Sequence, residues 1–183
     1  FSNLTGVAAV SYSAFRIAGS EYYRDWYRVE IDGEMKQMML NEVFFDHDFF
    51  RATGIPLVAG RSFDPQRSTD AHEAFIVNES AVREFGWADP IGKRISYGFE
   101  ETEGEKWEGT VIGVVKDFNT YSLHRKIEPL VMRLPWSDWP GNCIHLKING
   151  PLDNTIARIK NKYEEILPGF LMNYSIIEDI YNH

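Results

Sequence analysis

With 183 residues, 44% of them apolar and 25% charged, the chain has the make-up of a globular domain able to bury roughly 70% of its unfolded surface, which excludes a disordered or disulfide-stapled class. A formal charge of −8 excludes nucleic acid as a partner, because phosphate binding needs clustered Lys and Arg, and it disfavours an anionic bilayer surface. Cys143 stands alone, so no internal disulfide forms, and no apolar run approaches the roughly 20 residues that cross a bilayer.

In chain order, Val7 to Ser13 reads as a short strand, and Ala14 to Tyr22 has no clear period. Trp26 to Ile31, Asp32-Gly33 and Lys36 to Phe44 read as a β-hairpin, since Asp-Gly supplies the positive φ of a tight turn. Asp46 to Thr53 is expected to be a short helix capped by Asp46 and closed by Gly54. Asp46, His47 and Asp48 imitate a metal cluster, but neighbours on a helix splay about 100° apart, so capping and solvation are the expected roles. The polar loop Asp64 to Glu73 gives His72 the same reading, and Arg61 is expected to pair with a nearby acid.

Ala74 to Val77 is a strand. Asn78 then caps a two-turn helix carrying Val82 and Phe85, and Gly86 closes it in the left-handed region. Asp89-Pro90-Ile91-Gly92 has the residues of a type I turn leading into an alternating strand from Arg94 to Phe99. Gly86, Gly92 and Lys93 mimic a phosphate-binding loop. Five residues separate the glycines where four are needed, and Arg94 replaces the magnesium-binding hydroxyl, so no nucleotide is expected. Glu100 to Glu105 carries four carboxylates, too short a run for a calcium loop. Gly109 to Val115 is apolar on both faces and should lie in the middle of a sheet, with Gly113 allowing a close approach.

Asp117, Ser122 and His124 fall within one loop and lack the separate rigid elements that orient a triad. Leu134 to Asn142 is a turn-rich loop that puts Trp136 and Trp139 at a surface, either folded back on this chain or forming a candidate interface. Ile144 to Ile148 alternates, with His145 and Lys147 on the expected wet face. Leu152, Ile156, Ile159, Tyr163 and Ile166 define an amphipathic helix from Leu152 to Leu167, stopped by Pro168-Gly169. Phe170 to Ser175 reads as a strand, which would complete a βαβ unit from Ile144 to Ser175.

The blocks NESAVREFGWADPIGKRI and VIGVVKDFNTYSLHRKIEPLVM, preceded by DHDFFRATGIPLVAGRSF, resemble the MacB-like periplasmic core domain of FtsX-type ABC transporter permeases. The blocks span about half the chain, and each alone would be weak; their conjunction in order and spacing is specific. The resemblance implies an α+β domain on the periplasmic side of the inner membrane, between the first and second transmembrane helices of its own permease. Those helices are expected outside Phe1 and His183. The implied layout is a discontinuous, membrane-proximal, βαβ-containing subdomain over residues 1–58 and 135–183, with an inserted mostly-β subdomain over 59–134.

No catalytic residue, cofactor or metal is implied. The implied partners are a cytoplasmic ATPase subunit or domain, a periplasmic adaptor or substrate protein, and a second copy in a homodimer. A soluble periplasmic binding module is the alternative, and a hydrolase built on Ser122, His124 and Asp117 is a third class.

Overall fold

The computed structural model describes residues 1–17, 23–97, 107–119, 126–135 and 141–177. Among these residues, nine strands and four helices follow in order: β1 (Val7–Ser13), β2 (Tyr23–Ile31), β3 (Glu34–Phe44), α1 (Phe49–Thr53), β4 (Leu57–Gly60), α2 (Asp70–Glu73), β5 (Ala74–Asn78), α3 (Glu79–Phe85), β6 (Arg94–Tyr97), β7 (Trp107–Val115), β8 (Leu130–Arg133), β9 (Cys143–Ile148) and α4 (Leu152–Ile166). The fold is α+β. Local chemistry sets most of these boundaries. Asp32 and Gly33 both take positive φ, 55° and 82°, so β2 and β3 meet in a tight hairpin paired from Tyr23–Glu42 to Ile31–Glu34. Asn78 accepts from the Ala81 amide at 3.0 Å, and Gly86 at φ 68° closes α3.

Strand pairing sorts the molecule into two sheets. β1 and β9 form an antiparallel pair, and the other seven strands run β4-β7-β5-β8-β3-β2-β6. The second sheet closes on itself, because β6 also pairs with β7 from Arg94–Thr110 to Tyr97–Trp107. The ring β7-β5-β8-β3-β2-β6 is therefore a six-stranded barrel, and closure removes the edges that would otherwise template aggregation. β7 has β5 along one side and β6 followed by β4 along the other, the central place its two-sided apolar sequence requires.

Alternation divides the core. Tyr27, Val29, Phe75, Val77, Ile95, Val111 and Val131 point into the barrel, with α3 closing over them through Ala81 and Phe85. The opposite faces of β3, β5 and β8 carry Val43, Ile76, Leu130 and Met132, which α1 and the chain after β1 cover with Phe49, Phe50, Phe15 and Ile17.

The barrel interior also holds charge. Glu42 and Arg133 lie 3.5 Å apart and both are buried, Tyr27 donates its hydroxyl to Glu42, and the guanidinium sits 4.4 Å over the Phe44 ring and 4.7 Å over that of Tyr97. Burial pushes the Glu42 carboxyl above its usual range, with Arg133 pulling it back. Tyr97, partly buried and bonded to Asp25, is pushed up to about 12.

Two expectations need correction. Phe170 to Ser175 forms no strand: Pro168 lacks a donor, Gly169 turns at φ 79° with its amide on Glu164, and the following residues lie outside any ladder. The βαβ unit over Ile144 to Ser175 is therefore not formed, although the alternating Phe170, Met172 and Tyr174 imitate a strand. The barrel joins strands from both sides of residue 58, since β3 pairs with β8 from Asn41–Leu130 to Phe44–Arg133. Sheet membership places 23–44 with the middle segment, because a parallel partner across a long connection cannot be read from local pattern. The turn before β6 closes one residue later than expected, from the Lys93 amide to the Pro90 carbonyl at 3.2 Å, with Gly92 at φ 87°.

Two consequences follow for stability. A Cβ on Gly113 would run into the Arg61 carbonyl and meet Leu57 at 3.1 Å, so Gly113→Val should cost about 1–3 kcal/mol in urea unfolding; an unchanged midpoint would contradict the crowding. Glu42→Leu leaves Arg133 buried without its carboxylate and should cost about 3–5 kcal/mol. Adding Arg133→Leu should recover part of that loss, and a double-mutant cycle with no coupling would show that the pair does not act as one.

Candidate functional site: the joint between the two sheets

The β1–β9 pair meets the barrel at one knot of backbone. The Ala14 amide donates to Phe44 at 2.8 Å, the Asp46 amide to Tyr12 at 3.1 Å, and Ser13 bridges Phe45, so the end of β1 is stitched to the end of β3. The start of β9 joins the same place: the Asn142 amide donates to the Ser13 carbonyl at 2.8 Å and its side chain to Ala14 at 3.4 Å. Gly141 at φ 69° lets that strand approach, since a Cβ there would lie 2.8 Å from the Ser13 oxygen.

Side chains lock the knot from within. Ser13 donates its hydroxyl to the Phe15 carbonyl, so its oxygen accepts from His145 Nε2 at 2.7 Å. The imidazole is buried against the rings of Phe49 at 5.3 Å and Phe15 at 6.4 Å. Burial pulls its pKa down to about 4, the Phe15 carbonyl acting weakly the other way. Asp46 fixes the outer side, accepting from Ser11 Oγ at 2.6 Å, the Tyr12 amide at 3.3 Å and the Asp48 amide at 3.2 Å. Burial raises its carboxyl above the ordinary range.

An open cleft of about 660 Å³ lies beside this knot, with Tyr12 from β1, Phe50 from α1, Leu57 from β4 and Phe63 as its apolar walls. His47 and Asp48 stand at its rim, and Asp48 holds Arg51 at 3.0 Å. Among the described residues, no three His, Cys, Asp or Glu side chains converge as a metal would require.

The residues singled out by sequence fall in several places. Trp136, Trp139, Ser122, His124 and the acidic run 100–105 lie outside the described residues. Asp117 is committed to α3, accepting from the Ser80 amide and hydroxyl at 2.9 Å each and from Arg83 at 2.6 Å. The cations of the phosphate-loop look-alike are held by Glu30, from Lys93 at 3.3 Å and Arg94 at 2.9 Å. Arg61 pairs with Asp70 at 2.5 and 2.7 Å, the ion pair its sequence position suggested.

Two expectations about this joint reverse. The N-cap of α1 is Asp48 and not Asp46, whose carboxylate bridges β1 and the Asp48 amide. His145 faces inward, only 7% exposed, while Ile144 is 55% exposed. The inner face of the pair is polar at this end because Ser11 and Ser13 of β1 lie there with His145, and the serines of VSYS were the signal available in the sequence. Sequence reasoning also passed over Glu42, although its place between Leu40 and Phe44 puts it on a buried face.

A family model, the MacB-like periplasmic core domain, matches residues 3–160. Among solved structures, the periplasmic region of MacB from Actinobacillus actinomycetemcomitans superposes with a TM-score of 0.57 at 17% identity, covering 99% of this chain and 78% of that one. A domain of a putative permease protein from Porphyromonas gingivalis gives 0.55 at 16%, covering 97% and 83%. The extracellular domain of the noncanonic ABC-type transporter YknZ from Gram-positive bacteria gives 0.51 at 15%, covering 90% and 80%. These likenesses are of fold, and no curated protein matches the chain. With the family model matched across most of its length, the chain belongs to the MacB-like periplasmic core domains of ABC transporter permeases.

Proposed function

We propose that the domain is a non-catalytic relay on the periplasmic side of the inner membrane. It stands between two transmembrane helices of its own permease and passes their motion, driven by a cytoplasmic ATPase subunit or domain, to a substrate or adaptor protein, with a second copy beside it in the working transporter. The observation that carries this reading is the family match over residues 3–160. Among the described residues no helix is long and apolar enough to cross a membrane.

The joint supports the relay physically. A part that transmits movement must not absorb it, and three passages of chain tied at Ser13 make the β1–β9 pair and the barrel one stiff body. In this reading the two-part division follows sheet membership, with the inserted part running from about residue 23 to 134 and β1, β9 and α4 forming the membrane-proximal part. A soluble periplasmic binding module is a second reading, favoured by the cleft beside Tyr12 and Phe63.

Trp136 and Trp139 are proposed to face the partner, because their loop joins β8 to β9 just ahead of the joint and has the residues of a surface connection. Trp136→Ala with Trp139→Ala in the full-length permease should lower transport while leaving the urea midpoint of the 183-residue chain nearly unchanged. A loss of about 3–5 kcal/mol, typical of core Trp→Ala, would instead assign both indoles to internal packing.

A further inference from the structure

His145 occupies a place that a neutral imidazole holds and an imidazolium does not. Its Nε2 donates to Ser13, whose carbonyl takes the Asn142 amide and whose neighbours Tyr12 and Ala14 bond Asp46 and Phe44, and aromatic rings of Phe15 and Phe49 flank the ring. Among the described residues, no acid is turned toward it to balance a positive charge. Of the charged groups on the elements around it, Asp46 is committed to Ser11 and two backbone amides, and Asp48 to Arg51. Arg16 acts on Cys143, and Lys147 lies exposed farther along β9.

We propose that His145 is an acid-sensitive latch: neutral, it holds the β1–β9 pair against the barrel, and protonated, it releases that pair while the barrel stays closed. Opening the joint is the local way to hydrate the imidazole. The barrel has its own closed ring of ladders and its own core, to which His145 contributes nothing.

The sign of the effect separates His145 from its neighbours. A histidine depressed from 6.5 to about 4 contributes stability above pH 6.5 and loses it as pH falls through about 4, because only the open state takes the proton. Asp46 and Glu42 are raised by burial, so acidification strengthens the folded state at those sites and opposes release. Cys143, also raised, titrates above this range. Between neutrality and pH 5, a loosening confined to the joint therefore points to His145.

This inference adds regulation to the relay reading, and its test needs no transporter, so the two can fail separately. Amide hydrogen exchange of the 183-residue chain, corrected for the intrinsic rate, is followed from pH 7.5 to 5.0. The Ala14, Asp46 and Asn142 amides, which form the joint, should lose about 30-fold in protection, the ratio set by proton uptake between the two pKa values. Val77 and Val131, in the β5–β8 ladder of the barrel, should change by less than about threefold. His145→Gln, which keeps a donor for Ser13 but takes up no proton, should remove the pH dependence, and His145→Phe serves if that variant does not fold. Equal losses at joint and barrel, no loss at the joint, or an undiminished slope in the variant would each overturn the latch.

Discussion

Among the described residues, the hydrogen bonds that tie the two sheets together gather around Ser13. Its carbonyl takes the Asn142 amide, its hydroxyl lies between the Phe15 carbonyl and His145, and its backbone bridges Phe45. The chain leaves β1, returns along β3 and enters β9 within this one knot, so the orientation of the β1–β9 pair on the barrel is set by a handful of hydrogen bonds out of water. Such bonds are individually worth about 1 kcal/mol net, but breaking one here strands its buried partners, which makes the knot cooperative. A weaker or wetter seam would let the two parts swing independently.

The barrel supplies the opposing stiffness. Closure by β6 on β7 leaves no free edge in the ring, and Asn78 ties its lid by capping α3 while also accepting the Leu130 amide at 3.0 Å. Glu42 and Arg133 cost stability through desolvation and recover it through the Tyr27 hydroxyl and two aromatic faces. An apolar pair of the same size would fill the space as well. What the ionic pair adds is a fixed alignment of β3 with β8, the parallel neighbours whose side chains must meet inside the ring.

Local chemistry was readable from the residues, and long-range pairing was not. The Asp32-Gly33 hairpin, the Asn78 cap, the Gly86 stop and the central place of β7 all follow from propensities or alternation within a few residues. The parallel pairing of β3 with β8 has no local signal, so the continuity of the sheet across residue 58 is not legible in the residues around it. His145 was assigned to the wet face because Ile144, Leu146 and Ile148 look like a buried row. Ser11 and Ser13 give that strand pair a polar inner face at one end, and a two-residue period cannot say which row faces in when both carry mixed residues. Phe170 to Ser175 failed for a related reason: alternation describes a strand's faces and says nothing about whether an edge awaits it.

The relay account stands or falls on whether the β1–β9 pair and the barrel move as one body at neutral pH. Spin labels at Lys147→Cys on β9 and Gln37→Cys on β3, in a full-length permease carrying Cys143→Ser and diluted with unlabelled copies so that only distances within one copy are read, report the distance between the two parts by pulsed electron paramagnetic resonance. A single narrow distance that is the same with and without bound ATP is the predicted result. Two distances whose populations exchange with nucleotide would show that the joint absorbs the motion, and would contradict the account.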